Sequence, residues 1–262
     1  NPGGGKSWSL VAIGGHAVRL GYNVLHYTLE LGEEYVGKRY DAFFTKIPVN
    51  KVDSHRDKIE ELIPQLPGQL IIKEYPTGRA SVSTIESHIA KSTSMGVKPD
   101  LVIIDYVDLL SSRKTNRERK DEIDDIYTST KGLARQLDIP IWSVSQVNRA
   151  GAQDKVIQGD KAAGSYDKIM ITDFCMSLSR KKEDKVNNTG RFHLMKNRYG
   201  MDGITFGIQA DTSTGHFIVK DEYVEGEEDE NFTPSSKSNK FDTDVDTFDK
   251  QLLRKKFFEL NT

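Results

Sequence analysis

The sequence predicts an α/β fold: a mostly parallel sheet flanked by helices, with an antiparallel extension late in the chain. Short apolar runs rich in β-branched and aromatic residues alternate with stretches of helical period over the first 145 residues. Such alternation is how a parallel sheet comes to be covered by helices. Later runs are separated only by short turns, which join antiparallel neighbours. Between them, Ile123, Ile126, Tyr127, Thr130, Leu133, Ala134 and Leu137 share one face of a long helix.

In chain order, a helix is expected over 6–20, straight after a glycine run, and a strand over 23–29. Helices over 33–44 and 56–66 lead to a strand over 70–74, built on Leu70, Ile71 and Ile72. A helix over 83–94, a strand over 101–105, the helix over 121–137 and a strand over 139–145 complete the alternating part. Strands over 169–178, 191–196 and 205–209 make the extension. There is no internal repeat.

With 262 residues, 36% hydrophobic and 29% charged, the chain can bury one substantial core and carry an appendage. Its apolar runs are too short to cross a bilayer, and its first residues lack a basic-then-apolar leader pattern, so a cytoplasmic protein without a membrane partner is expected. One cysteine, Cys175, excludes an internal disulfide and a zinc cluster, and reads as a buried filler.

Charge is uneven. From 221 to 247, 10 acidic residues meet 2 basic ones. Branched apolar side chains are scarce there and Pro234 interrupts, so a disordered linker is expected. Over 248–262, Phe248, Leu252, Leu253, Phe257 and Leu260 would line one side of a short helix bordered by Lys250, Arg254, Lys255 and Lys256. This is either a docking segment or a terminus folded back on its own domain. The body, 1–220, keeps a mild excess of about +4, which permits a nucleic-acid partner without requiring one.

The chemistry begins at the first residues, NPGGGKS. A P-loop reads G-x-x-x-x-G-K-[ST]; Gly5, Lys6 and Ser7 fill its last three places, and the first glycine would fall one residue before Asn1. The chain is therefore expected to be a piece that starts within the motif. Gly3, Gly4 and Gly5 would let backbone N–H groups approach phosphates, Lys6 would supply charge and the Ser7 hydroxyl could ligate magnesium. A bare glycine-rich turn is the bland alternative, but Leu101-Val-Ile-Ile-Asp105 follows, an apolar strand ending in a carboxylate as a Walker-B strand does. Glu30 ends another strand and is the general-base candidate; a solvated carboxylate is its alternative. Gln146 ends a third, where it could read a γ-phosphate or simply be exposed. A nucleoside triphosphate as substrate and Mg2+ as cofactor follow.

This ordered set resembles the motor domain of DnaB-type replicative helicases, most of all the branch found in T-even phages. The residues that carry the resemblance are GGGKS, YTLEL at 27–31, EYPTGRASVSTIESHI at 74–89, LVIIDYVDLL at 101–110, SVSQVNR at 143–149 and LMKNRYG at 194–200. It spans 1 to about 219 and leaves the acidic tail outside. The resemblance implies a RecA-like P-loop core in which Lys6 and Ser7 bind phosphate and magnesium. Glu30 is then the catalytic glutamate, Asp105 the Walker-B carboxylate and Gln146 the sensor. It implies that Lys196 and Arg198 reach into a neighbouring subunit's ATP site, which requires a ring, a homo-hexamer. By itself, Arg198 reads more readily as a surface ion pair.

DNA-lining residues are implied at 158–165, where Lys161, Gly164 and Ser165 would meet the phosphate backbone of single-stranded DNA. Ala162 and Ala163 depart from the acidic and basic pair of the cellular helicases. A second basic cluster, including Arg117 and Arg119, either faces the same channel or is a solvated loop. The activity implied is ATP-driven translocation 5′ to 3′ on single-stranded and forked DNA, with primase, loader or polymerase as partners. Two rivals remain: a strand-exchange recombinase of the RecA superfamily, and a regulatory ATPase indifferent to single strands.

Overall fold

A computed structural model describes residues 4–112, 118–146 and 166–222. The expected α/β architecture is present. Chain order is α1 (Lys6–Arg19), β1 (Val24–Thr28), α2 (Glu33–Thr45), a 3-10 turn (Val49–Ser54), α3 (Arg56–Leu62), β2 (Leu70–Glu74), α4 (Val82–Ser94) and β3 (Leu101–Asp105). Then follow α5 (Arg119–Leu137), β4 (Ile141–Ser143), α6 (Tyr166–Ile171), β5 (Phe174–Ser179), α7 (Lys182–Val186), β6 (Thr189–Asn197), β7 (Thr205–Asp211) and β8 (His216–Glu222).

The first sheet runs β2-β1-β3-β4 with every pairing parallel; Thr28 stands opposite both Glu74 and Asp105, and Ile104 opposite Ser143. Period-two alternation sorts its side chains between two helical layers. Leu101 and Ile103 pack with Leu10, Val11, Tyr40 and Phe43 of α1 and α2, whereas Val102 and Ile104 pack with Ile85, Ile89, Ile126 and Leu133 of α4 and α5. β1 and β3 are buried along their whole length, which is why their sequences are almost continuously apolar.

The second sheet, β5-β6-β7-β8, is antiparallel throughout. It meets the first part of the molecule through Trp142 against Phe174, with ring centroids 5.6 Å apart, and Phe43 stacked on His216 at 5.0 Å.

Several expectations need correction. The strand over 169–178 is in fact the end of helix α6, a break at Thr172 and Asp173, and β5. Ile169, Met170 and Ile171 look like strand by composition, but lysine side chains satisfy their carbonyls: Lys196 Nζ donates to Ile169 and Met170, and Lys131 Nζ to Ile171, as suits a helix carboxyl terminus. The helix over 56–66 stops at Leu62 and tightens into a 3-10 turn over Ile63–Gln65 that contains Pro64, which has no N–H to continue an α-helix. The strand over 139–145 keeps only Ile141–Ser143, and β8 was not foreseen; it runs to Glu222, into the first residues of the acidic stretch. The remaining expectations for 223–262 lie outside the described residues. Cys175 is half-buried rather than fully buried, and burial pushes its thiol up to about 11. Among the described residues no helix is long and apolar enough to cross a membrane.

Candidate active site

Gly5 caps α1 with φ of 90°, a left-handed conformation that costs a side-chain-bearing residue free energy, so glycine here is a backbone requirement. The helix that starts at Lys6 has no acidic residue in its first turn and no side chain capping its amino end. Its first N–H groups and the positive end of its dipole therefore remain available to an anion.

Below this corner lies the carboxyl edge of the parallel sheet. Asp105 ends β3 and is 1% exposed. Burial pushes its carboxyl above the usual range; a hydrogen bond from the Ser7 side chain opposes the rise, Glu30 adds to it, and Arg39 and Lys6 counter it. Its Oδ1 has no hydrogen-bond partner among the described residues.

Glu30 is placed by a tight turn. The Thr28 hydroxyl donates to the Leu31 carbonyl at 2.7 Å and accepts from the Leu31 N–H at 3.2 Å, looping the chain around an exposed Glu30. Leu29 N–H, one residue earlier, donates to the Asp105 carbonyl at 2.8 Å, tying the ends of β1 and β3 together. Burial lowers the Lys6 ammonium from its ordinary range, with the nearby charges of Glu30 and Asp105 opposing. Lys6, Ser7, Glu30 and Asp105 thus converge.

Gln146 follows β4 and is exposed; its neighbour Ser145 donates to Asp108 Oδ2 at 2.8 Å. Ser143 donates to the Ile104 carbonyl at 2.7 Å and accepts from Val107 N–H at 3.0 Å, which fixes the end of β4 beside that of β3.

The basic pair makes its contacts elsewhere. Lys196 Nζ lies 2.9 and 2.6 Å from the Ile169 and Met170 carbonyls, and Arg198 Nη1 is 2.9 Å from Asp173 Oδ1. Arg119 opens α5, bonded to the Asp108 carbonyl and to Glu122. Gly3, Arg117, Lys161, Gly164 and Ser165 lie outside the described residues.

Two guanidiniums at the site had no motif to announce them. Arg39, on α2, feels Asp105 and Glu30 and sits 5.0 Å from the ring centre of Trp8, the residue after Ser7. Arg180 flanks Gly5: a methyl group added there would lie 3.5 Å from its Nη1. Arg39 stands nine residues beyond Glu30, two and a half helical turns at most, and that proximity was the one available signal.

A parallel sheet between helical layers, a glycine corner feeding a helix amino terminus and a carboxylate buried beneath it place the chain in the RecA-like class of P-loop ATPase folds. Comparison with known proteins narrows this class. Residues 1–217 match the family model described as DnaB-like helicase C terminal domain, and the chain belongs to that family. It is 24% identical to the DnaB-like replicative helicase of Enterobacteria phage T4 over 212 residues, 75% of this chain and 44% of that protein. It is 29% identical to the replicative DNA helicase DnaB of Helicobacter pylori strain 26695 over 129 residues, 47% of this chain and 26% of that protein. The chain thus spans less than half the length of these relatives. By fold it is similar to a solved ATPase domain, with a TM-score of 0.72 and 22% identity, covering 84% of this chain and 82% of that one. A DnaB-like replicative helicase studied with its primase interactions gives the same TM-score and identity, covering 83% and 56%.

Proposed function

We propose that the chain is the ATP-driven motor domain of a replicative DNA helicase, which as a hexameric ring moves 5′ to 3′ on single-stranded DNA and unwinds the duplex at a fork. The observation that carries the reading is the convergence of Lys6, Ser7, Glu30 and Asp105 at one sheet edge, in a chain of the DnaB-like family.

ATP phosphates would lie at the amino end of α1, held by backbone N–H groups and the Lys6 ammonium. A buried carboxylate oxygen without a partner, next to a serine hydroxyl, suits a hard cation that takes oxygen ligands. Magnesium held by Ser7 and Asp105 would neutralise charge on the phosphate oxygens. Glu30, exposed at the same edge, would accept a proton from the attacking water, and Gln146 would contact the γ-phosphate. Lys196 and Arg198 would complete the site of the next subunit. Lys161, Gly164, Ser165, Arg117 and Arg119 are the proposed DNA contacts.

Residues 1–220 form the motor in this reading, 221–247 a linker and 248–262 a docking segment. A primase is proposed as partner because a helicase of the same fold was studied with one; a loader and a polymerase are the other candidates.

The test is strand separation on forked duplexes with ATP and magnesium, using the full-length protein that carries this chain and substrates with a single unpaired tail. Unwinding should require the five-prime tail. It should be lost in Lys6→Ala, which deletes a charge worth at least about a hundredfold in rate. DNA-stimulated hydrolysis with no separation on any fork, together with pairing of homologous strands, would establish the recombinase instead.

A further inference from the structure

One six-residue helix touches both halves of the proposed catalytic machinery. In its amino-terminal half, Lys168 of α6 donates to Asp108 Oδ2 at 2.8 Å and to Ser145 Oγ at 3.0 Å. Asp108 also accepts from Ser145 on Oδ2 and from the Tyr127 hydroxyl on Oδ1 at 2.7 Å, and Lys168 Nζ lies 5.5 Å from the Tyr127 ring centre. Asp108 is three residues beyond Asp105, and Ser145 immediately precedes Gln146.

The other end of α6 is held by the basic residues of the second sheet and of α5. Lys196 binds the Ile169 and Met170 carbonyls, Lys131 binds the Ile171 carbonyl, and Asp173 is shared between Lys131 and Arg198 at 2.8 and 2.9 Å. Arg198 N–H also donates to the Asp173 carbonyl at 2.9 Å.

A well-buried ion pair is a poor source of net stability, because desolvation offsets much of the Coulomb gain; what it does supply is a fixed geometry. Lys168 and Asp108 each keep only 14% of their side-chain surface, and three donors converge on one carboxylate. Six helical residues span about 9 Å, so α6 is short enough to move as one rigid piece.

We infer that Lys168 is a positioning residue: through α6 it ties the strand end bearing Gln146 to the placement of Lys196 and Arg198. This rests on the proposed reading, in which Gln146 meets the nucleotide of its own subunit and Arg198 that of the next. A change at one ATP site would then displace the groups offered to its neighbour, giving the ring an order of firing through a single helix.

The experiment is a double-substitution cycle in the full-length protein, scoring kcat and KM for ATP hydrolysis with and without a single-stranded oligonucleotide, plus the thermal midpoint. Lys168→Met keeps the stem and removes the charge, while Asp173→Asn releases Arg198. Each should lower kcat about tenfold with KM within about twofold, and Lys168→Arg should recover most of the loss. Since both changes cut the same connection between Asp108 and Arg198, the double variant should stay near about tenfold, not the roughly hundredfold of independent sites. A multiplicative loss, an unchanged kcat in Lys168→Met, or a loss that tracks KM and thermal midpoint would overturn the inference. DNA stimulation of the unsubstituted protein tests the helicase reading separately, because the cycle can be scored on hydrolysis without DNA.

Discussion

The two sheets of this molecule treat their proposed functional residues in opposite ways. In the parallel sheet, β1 and β3 are buried throughout, and three strand ends deliver Glu30, Asp105 and Gln146 to one border with the backbone ladder fixing their spacing. The antiparallel sheet is only partly buried, with Ile218 and Val219 exposed on β8 and Tyr199 and Met201 displayed at the β6–β7 turn. It carries Lys196 and Arg198, whose partners belong to α6 and to Asp173. Groups that must meet one another within the chain are set on the inner ladder. Groups whose proposed target is another subunit stand on the half-solvated sheet, where a second surface can reach them.

The largest expected effect tests that division. Arg198→Ala should abolish DNA-stimulated hydrolysis, by about 10³-fold or more if it acts as an arginine finger, while leaving nucleotide binding largely intact. Mixing Arg198→Ala with Glu30→Gln subunits should restore part of the turnover, because each supplies what the other's site lacks. Steady-state hydrolysis across mixing ratios reads the outcome. No recovery at any ratio would mean that the antiparallel sheet serves its own subunit, and the contrast between the sheets would fail.

The same contrast explains what could be read in the sequence. The parallel half was legible because a fully buried strand has to be apolar: Leu101 to Asp105 declares a strand and the carboxylate at its end together. Gly5 was legible because a positive φ requires glycine. The antiparallel half was less so. Ile169, Met170 and Ile171 have strand composition, yet Lys131 and Lys196, 40 and 27 positions away from the carbonyls they cap, hold them in a helix. No local window contains that information. Arg39 and Arg180 were missed for a related reason: each is brought to the site by tertiary packing, against Trp8 and beside Gly5, with no motif spacing to mark it.

A second prediction measures the difference in energy. Ile104 is 1% exposed on β3 and packs with the α4 and α5 layer, whereas Val219 is 57% exposed on β8. Ile104→Ala should cost about 2–5 kcal/mol through lost burial and the cavity left behind. Val219→Ala should change stability by no more than about 0.5 kcal/mol. Urea unfolding of both variants decides it, and similar shifts in midpoint would show that the two sheets are equally dependent on side-chain burial.

The smallest effect concerns protons. His26, on β1, is 1% exposed, its Nδ1 lies 2.8 Å from the Tyr40 hydroxyl, and its Nε2 is buried with no partner among the described residues. Burial, with a contribution from the Arg39 guanidinium, pushes its pKa down to about 3. The folded chain therefore keeps His26 neutral well below its ordinary value of 6.5, while the unfolded chain takes up a proton there. Stability contributed by the neutral ring is complete above pH 6.5 and is lost as pH falls towards 3, with a slope of up to about 1.4 kcal/mol per pH unit. His193 on the antiparallel sheet is only partly buried; burial lowers its pKa too, but its Nδ1 has Thr205 Oγ1 at 2.9 Å. Between pH 6 and 4, His26→Gln should flatten the acid slope of the unfolding free energy by about one proton, whereas His193→Gln should leave most of it. Carboxylate titration adds to every profile and cancels in the difference between variants. Identical slopes for the unsubstituted chain and His26→Gln would mean that the parallel sheet does not hold a neutral histidine against protonation, and would remove the electrostatic side of its contrast with the second sheet.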